Sequence, residues 1–320
     1  LESRLMQGAR ATPSAPLPLE QAQARLLALA APLPGETLAV ADAAGRYLAE
    51  PLVARRTQPA ADLSAMDGYA LRAADLPGPW QVVGESAAGH PWSGTVGGHA
   101  AVRISTGAVM PAESDMVLLQ EDAERRGNQL ILSGTPPRPP QRHVRRRGND
   151  FHAGETLCQA GTRMVPAPLA LAIAAGHAQV AVHGLPTLAV LDTGDELAST
   201  CNADLHQVPA SNGPMVAAMA AGLVRSVHRL GPVPDRLDAL AAALAQAGDA
   251  DVLVTSGGAS VGDHDLVRPA LETWGATVDF WRVAIKPGKP ILVARRGRQV
   301  ILGLPGNPVS CFVTAWLFLL

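Results

Sequence analysis

Apolar and polar residues follow two different rhythms along this chain. In "LEQAQARLLALAAPLPG" (19–35) the apolar positions recur at helical spacing until Pro and Gly stop the pattern. From about 51 to 140 the runs are short. "WQVVGE", "HAAVRIST", "DMVLLQED" and "NQLILSG" have strand length and β-branched content, with Gly and Pro between them, and predict a small all-β module. "TPPRPPQRHVRRRGND" (135–150) is a proline-rich and then basic connector, followed by the apolar helix "APLALAIAAG". From 186 onward the two rhythms alternate. "TLAVLDTGDE", "VRSVHRL", "ADVLVTSGG", "TVDFWRV", "PILVAR" and "QVILGLPG" read as strands, and "GPMVAAMAAGL", "DRLDALAAALAQAG" and "DLVRPALETWG" as helices. Such alternation predicts an α/β domain on a mostly parallel sheet. "VSCFVTAWLFLL" (309–320) reads as a buried helix, since no apolar run reaches the roughly 18–20 residues of a membrane span.

Composition narrows the class. A chain of 320 residues exceeds one ordinary core and predicts two or three domains. Aromatic residues make up only 3%, so Ala, Val and Leu must fill the cores. A net charge of −2 exerts no general pull toward nucleic acid or an anionic membrane. Cys158, Cys201 and Cys311 are far apart, with neither zinc spacing nor a disulfide framework, which fits a reducing cytoplasm. Residues 1–18 are rich in Ala, Pro and Ser, lack a signal-peptide core and read as a loose tail. The sequence opens on Leu and stops inside an apolar helix, so it is expected to continue at both ends.

In open α/β sheets ligands bind beyond the carboxyl ends of the strands. Three strands here end in polar, Gly-rich turns: "LDTGDEL" (191–197), "TSGGASVGDHD" (255–265) and "GLPGNPVS" (303–310). Gly257, Gly258 and Ser260 let backbone N–H groups approach an anion, although the same turn also reads as an Asp-capped helix start. Asp195 and Glu196 are ordinary turn acids by themselves. Beside Asp265 and a phosphate they suit Mg²⁺, which takes one or two carboxylates plus substrate oxygens. Pro305 and Pro308 stiffen the last turn, and Ser310 is placed to cap the final helix.

The chain has 26 Lys and Arg residues, and its two lysines, Lys286 and Lys289, both lie in "KPGKP". Arg offers a planar fork, whereas Lys is a compact point charge. Two ammonium groups held by prolines and Gly288 match a small tetrahedral oxyanion, the plain alternative being two solvated surface lysines. "RHVRRR" (142–147) reads as a solvated face or a phosphate-attracting loop, without the interleaved aromatics of a nucleic-acid binder. In "SAMDGYA", Asp67 has a turn role available and nothing more from the local pattern.

Together, "SAMDGYA", "RISTGAVMP", "RRRGND", "TGDEL", "SGGASVGDHD", "AIKPGKP" and "GLPGNPVS" stand in the order found in the molybdopterin molybdenumtransferase family, relatives of the gephyrin E domain. The resemblance runs from about residue 19 to 320. It implies insertion of molybdate into adenylylated molybdopterin with release of AMP and molybdenum cofactor, Mg²⁺ as cofactor, a homodimer, and the molybdopterin adenylyltransferase as a further partner. It implies a discontinuous linker domain (19–50 and 141–185), the β-module (51–140) inserted into it, and an α/β domain (186–320) carrying the site. A further C-terminal β-domain normally follows and is absent from this sequence. By resemblance, Lys286, Lys289, Pro290 and Ser310 hold molybdate. Asp265 and Glu196 serve Mg²⁺ and the transfer step, with Asp235 as another acid. Gly257, Gly258 and Ser260 line the pterin-phosphate pocket, and Pro305 and Pro308 also count among the substrate-binding residues. Asp67 and Thr106 are presented across the dimer cleft, and Asp150 belongs to the basic hinge. Three positions depart from the family pattern: Asn149 stands for Glu, Ala210 for an acid, and Asp192 for Ser or Thr.

Other readings remain at this point. A molybdopterin adenylyltransferase would resemble the α/β domain alone and would need neither the β-module nor "KPGKP". A gephyrin-like scaffold would need no intact acids at the strand ends. A nucleic-acid binder rests on residues 142–147 alone, and no membrane partner is implied.

Overall fold

The computed structural model describes residues 16–199, 201–257 and 266–320. Its contacts divide the chain into two units, one of residues up to Pro34 with Gly184–Leu320 and one of Gly35–His183.

The first unit is built on six strands: β1 (Thr187–Thr193), β2 (Ser226–Val233), β3 (Val252–Ser256), β4 (Thr277–Arg282), β5 (Pro290–Arg296) and β6 (Gln299–Leu304). They lie in the order β2-β1-β3-β6-β5-β4. Neighbours β2, β1, β3 and β6 pair in parallel, while β5 is antiparallel to both β6 and β4. The reversal of β5 follows from its connections. Arg296 pairs with Gln299 across a tight turn, and Arg282 pairs with Pro290 across the "KPGKP" segment. Neither link is long enough for a crossover, which a parallel pair would require.

Alternation along the strands splits the apolar residues between two faces. On one face Leu188, Val190, Val254 and Leu302 pack with helices α1 (Leu19–Leu29), α2 (Asn212–Met219) and α5 (Pro308–Phe318). On the other, Ala189, Leu191, Leu253 and Ile301 pack with α3 (Leu237–Gln246) and α4 (Val267–Thr273). The result is three layers, helix–sheet–helix, with a mixed sheet.

Helix α1 corrects the linker boundary drawn from the sequence. Its Ala22 and Leu26 are buried in the core beside α5, Gln23 Nε2 donates to Leu317 O at 2.9 Å, and Arg25 Nε donates to Asp279 Oδ1 at 2.8 Å. Residues 16–34 therefore belong with the α/β sheet, and the chain leaves for the second unit only at Gly35.

The second unit contains a six-stranded sheet formed by residues 116–119, 68–71, 100–104, 80–86, 129–132 and 123–126 in that order. Trp80, Leu71, Met116 and Leu130 are buried on one side of it. A separate cluster joins Val40, Leu48, Met164 and Val182, where Gly35–Ala39 pairs antiparallel with Gln179–His183 and helix Pro166–Ala174 covers the pair.

Candidate functional site

The topology brings five chain reversals to one edge of the α/β sheet. Strands β1, β2, β3, β4 and β6 all end there, and β5 begins there. The lysine turn thus shares a rim with "TGDEL" and "GLPGNPVS". From β1 the chain winds outward to β2 and then back across to β3. That change of direction opens a crevice at the ends of β1 and β3.

A cleft of about 370 Å³ occupies this rim, lined by Asp192, Glu196, Ser211, Asn212, Gly306 and Pro308 among others. Its floor is polar and hidden. Asp192 is 4% exposed and Asn212 8%. Asn212 Nδ2 donates to Ser256 Oγ at 2.7 Å and to Gly306 O at 2.8 Å, tying α2 to the ends of β3 and β6. Asp192 Oδ2 accepts from the Gly213 N–H at 3.1 Å. Burial pushes the Asp192 carboxyl above the ordinary carboxylate range against the opposing pull of Gly213, Arg229 and Ser256. Cys311 lies beside this floor, and burial drives its thiol up to about 11, so it is an inert core residue at neutral pH.

Farther along, Thr193 Oγ1 donates to Asp235 Oδ1 at 2.9 Å, and the Asp235 N–H donates to Asp195 Oδ1 at 3.1 Å. Asp235 is half-buried and linked to the end of β1, whereas Asp195 and Glu196 are exposed. The Glu196 carboxylate folds back over Gly194. Among the described residues no group of three or more His, Cys, Asp or Glu side chains is positioned to hold a metal ion. Gly258, Ser260 and Asp265 lie outside the described residues.

The lysine turn is built from both sides. Val283 N–H donates to Lys289 O at 3.1 Å and closes it, while Leu17 pairs with Val283 just ahead of α1. Gly288 has φ +100°, and a Cβ there would stand 2.5 Å from Thr314 Cγ2 of α5, so the turn lies tight against that helix. Lys286 and Lys289 are exposed, and no carboxylate of the described residues pairs with either. Pro290 opens β5. Pro305 is buried and Pro308 is the first residue of α5. The cap of α5 is Asn307, not Ser310: Asn307 Oδ1 accepts the Ser310 N–H at 3.1 Å. That leaves the Ser310 hydroxyl uncommitted to the cap.

In the second unit Asp67 and Thr106 meet directly. Asp67 Oδ1 accepts the Thr106 N–H at 2.7 Å and its hydroxyl at 3.1 Å. These two donors, the backbone one first, hold the Asp67 carboxyl below its ordinary 3.8. The stabilisation is present above the ordinary value and is lost as pH falls through the lowered one. In Thr106→Val only the backbone donor survives, and the Asp67 titration followed by carboxyl-carbon NMR is expected to move up toward 3.8. A titration identical to the parent would show the hydroxyl to be irrelevant.

Asp150 takes a fork from Arg145 Nη2, both oxygens at 2.5 Å. Asp62 takes Arg146 Nη1 at 2.5 Å and the Arg147 N–H at 2.7 Å. Two of the four arginines of "RHVRRR" are thus paired with carboxylates, which halves the number of guanidinium groups the run could offer a phosphate backbone.

Sequence reasoning missed the participation of Thr193, Asn212 and Ser256. Asn212 had one visible signal, a polar amide directly ahead of an apolar helix that follows a strand.

Known proteins share this arrangement of sequence and fold. Residues 17–176 match the family model described as MoeA N-terminal region (domain I and II), and residues 189–320 match the one described as probable molybdopterin binding domain. A molybdopterin molybdenumtransferase of Haemophilus influenzae is 37% identical over 303 residues, covering 93% of this chain and 74% of the relative. One of Bacillus subtilis is 33% identical over 314 residues, covering 95% and 73%. The solved molybdopterin biosynthesis MoeA protein of Pyrococcus horikoshii superposes with a TM-score of 0.80 at 30% identity, over 96% of this chain and 78% of that one.

Proposed function

As the chain belongs to the molybdopterin molybdenumtransferase family, enzymes of molybdenum cofactor synthesis, we propose that it inserts molybdate into adenylylated molybdopterin and releases AMP with the finished cofactor. The observation that carries this reading is the meeting of the lysine turn with the acid-bearing end of β1 and the "GLPGNPVS" end of β6 on one rim.

Lys286 and Lys289 bind molybdate as a substrate. Their compact charges meet its oxygens, Pro290 fixes the backbone behind them, and the Ser310 hydroxyl is free to donate. The starts of α2 and α5 face the cleft and favour the negative charge of the adenylyl phosphate. Gly257, with Gly258 and Ser260 beyond it, allows the phosphate to approach the backbone. Asp235 is held by Thr193 and orients the turn that carries Glu196. Catalysis on this reading is mainly positioning and electrostatic stabilisation.

The donor set suits Mg²⁺ in one respect. An exposed carboxylate at a strand end, with no ready-made acid cage among the described residues, matches an ion that keeps most of its water and takes its remaining oxygens from substrate phosphates. Glu196, together with Asp265, would hold it, and the ion would neutralise charge on the phosphoanhydride. Asp67 and Thr106 act across a homodimer cleft in this proposal.

The test is AMP release from adenylylated molybdopterin with Mg²⁺, with and without molybdate. Release that requires molybdate is expected. AMP release indifferent to molybdate would remove the proposed coupling, and formation of adenylylated pterin from ATP would make the chain an adenylyltransferase instead. No helix of the described residues is long and apolar enough to cross a membrane.

A further inference from the structure

Two helix starts face one cleft, α2 at Asn212 and α5 at Pro308. A helix start favours negative charge. At α2 that charge is already supplied from within, since the Asp192 carboxyl accepts the Gly213 N–H. Asp192 satisfies only half of itself this way. Its Oδ1 has no hydrogen-bond partner, and neither has Asn212 Oδ1, although both residues are more than nine-tenths buried in the cleft floor. Two buried acceptors in one floor lack a donor, and leaving such groups unmatched is costly.

The surroundings decide how an added charge is met. Strand β2 contributes Arg229, which favours the ionised form; β3 contributes the Ser256 hydroxyl. Helix α5 contributes the neutral Cys311 thiol, and the turn after β1 contributes Glu196, a second negative charge on the same cleft. The carboxyl already stands above its ordinary range because of burial. A phosphate placed at the α2 start would add like charge at close range in a poorly solvated site, where such repulsion is strong.

We propose that Asp192 takes up a proton when a phosphate-bearing anion enters the cleft. The proton comes from solvent and forms an O–H bond on the carboxyl, and it returns to solvent when the anion leaves. The cleft floor becomes neutral as the ligand's charge arrives, and the floor gains the donor it lacks. Asp192 is a positioning residue in this scheme. Only the identification of the anion with the adenylyl phosphate rests on the proposed function; the proton uptake itself requires any anion of that class.

Calorimetric titration with AMP, and separately with inorganic pyrophosphate, in buffers of different ionisation enthalpy reads the proton directly. The parent protein is expected to take up close to one proton per anion bound. Asp192→Asn, which keeps the shape and supplies an amide donor, and Asp192→Ser are expected to bind with no uptake. An acid C=O band appearing in the infrared difference spectrum of the parent on pyrophosphate addition tests the same event without any substitution. Binding without uptake, uptake that survives both substitutions, or failure of both anions to bind would each overturn the proposal. Uptake with pyrophosphate alone would sustain it while removing support from the adenylyl reading.

Discussion

Replacing Lys286 and Lys289 together with alanine is expected to lower molybdate-dependent AMP release about a hundredfold at limiting molybdate, each ammonium accounting for about tenfold, or roughly 1.4 kcal/mol. The loss falls below the roughly 4 kcal/mol that Coulomb's law gives for a unit pair at about 4 Å and an effective dielectric of about 20, because both side chains are exposed and surrounded by water. Most of the loss belongs in the molybdate concentration needed for half-maximal rate, since the lysines meet the oxyanion before and during the reaction alike. Lys286→Arg and Lys289→Arg keep the charge and change its shape, so a partial defect in them would isolate the demand for a compact cation. The Gly288 backbone and its contact with Thr314 are untouched by all four substitutions, so thermal unfolding should stay close to the parent. A double alanine variant with normal molybdate dependence would place the oxyanion elsewhere and leave the two lysines as solvated surface residues.

The second large effect is expected from a residue with no side chain. Gly257 follows β3 with φ +96°, and a Cβ there would stand 2.3 Å from the Thr193 carbonyl oxygen at the end of β1. Backbone cannot swing away as a flexible side chain can. Gly257→Ala therefore combines conformational strain of about 1–3 kcal/mol with an overpacking cost of similar size. A total near 3–4 kcal/mol would be a large share of the stability of an ordinary domain. Gly275 provides the comparison. It has φ +93° with nothing within 4 Å of the added Cβ, so Gly275→Ala should cost only about 1–2 kcal/mol. Denaturant midpoints of the two variants separate the strain from the contact. Gly257→Ala should also lose activity through displacement of Thr193 and hence of Asp235, a change that added molybdate would not rescue. Equal stability losses in the two variants would mean that the close approach to Thr193 relaxes without consequence.

The strand ends were legible in the sequence because their chemistry is local. Clusters of Gly, Pro and Asp after apolar runs mark turns whatever surrounds them, and "TGDEL", "GLPGNPVS" and "KPGKP" all fall on one rim in the structure. The direction of β5 was also accessible in principle, since "ARRGRQV" leaves no room for a crossover. The partner of α1 was not. Its periodicity shows that one face is buried, but Ala22 and Leu26 carry no mark saying which sheet receives them. The hidden floor escaped for a related reason. Asp192 follows four apolar residues and reads as the first polar residue of a turn, whereas it is buried by α2, whose start lies twenty residues later. The capping of α5 by Asn307 rather than Ser310 turns on a backbone angle that a Ser and an Asn three residues apart do not distinguish. Gly258, Ser260 and Asp265 lie outside the described residues, and their roles stand as proposals.

The place where the chain leaves the α/β unit lies beside the place where it returns, because the Gly184 N–H donates to Pro34 O at 3.0 Å. During synthesis this sets an order. Residues 35–183 are contiguous and emerge complete before β1 has been made. Helix α1, made first, must wait for the sheet and for α5 to bury Ala22 and Leu26. A nascent chain halted near Gly184 would therefore hold one finished body and, ahead of it, an amphipathic helix with no surface to cover. Bringing that helix back across so long a separation carries a loop-closure penalty that grows only slowly with length, and an insert already folded with its ends together lowers it further. For the ribosome, the inserted unit serves as the clasp that returns helix α1 to the sheet made after it.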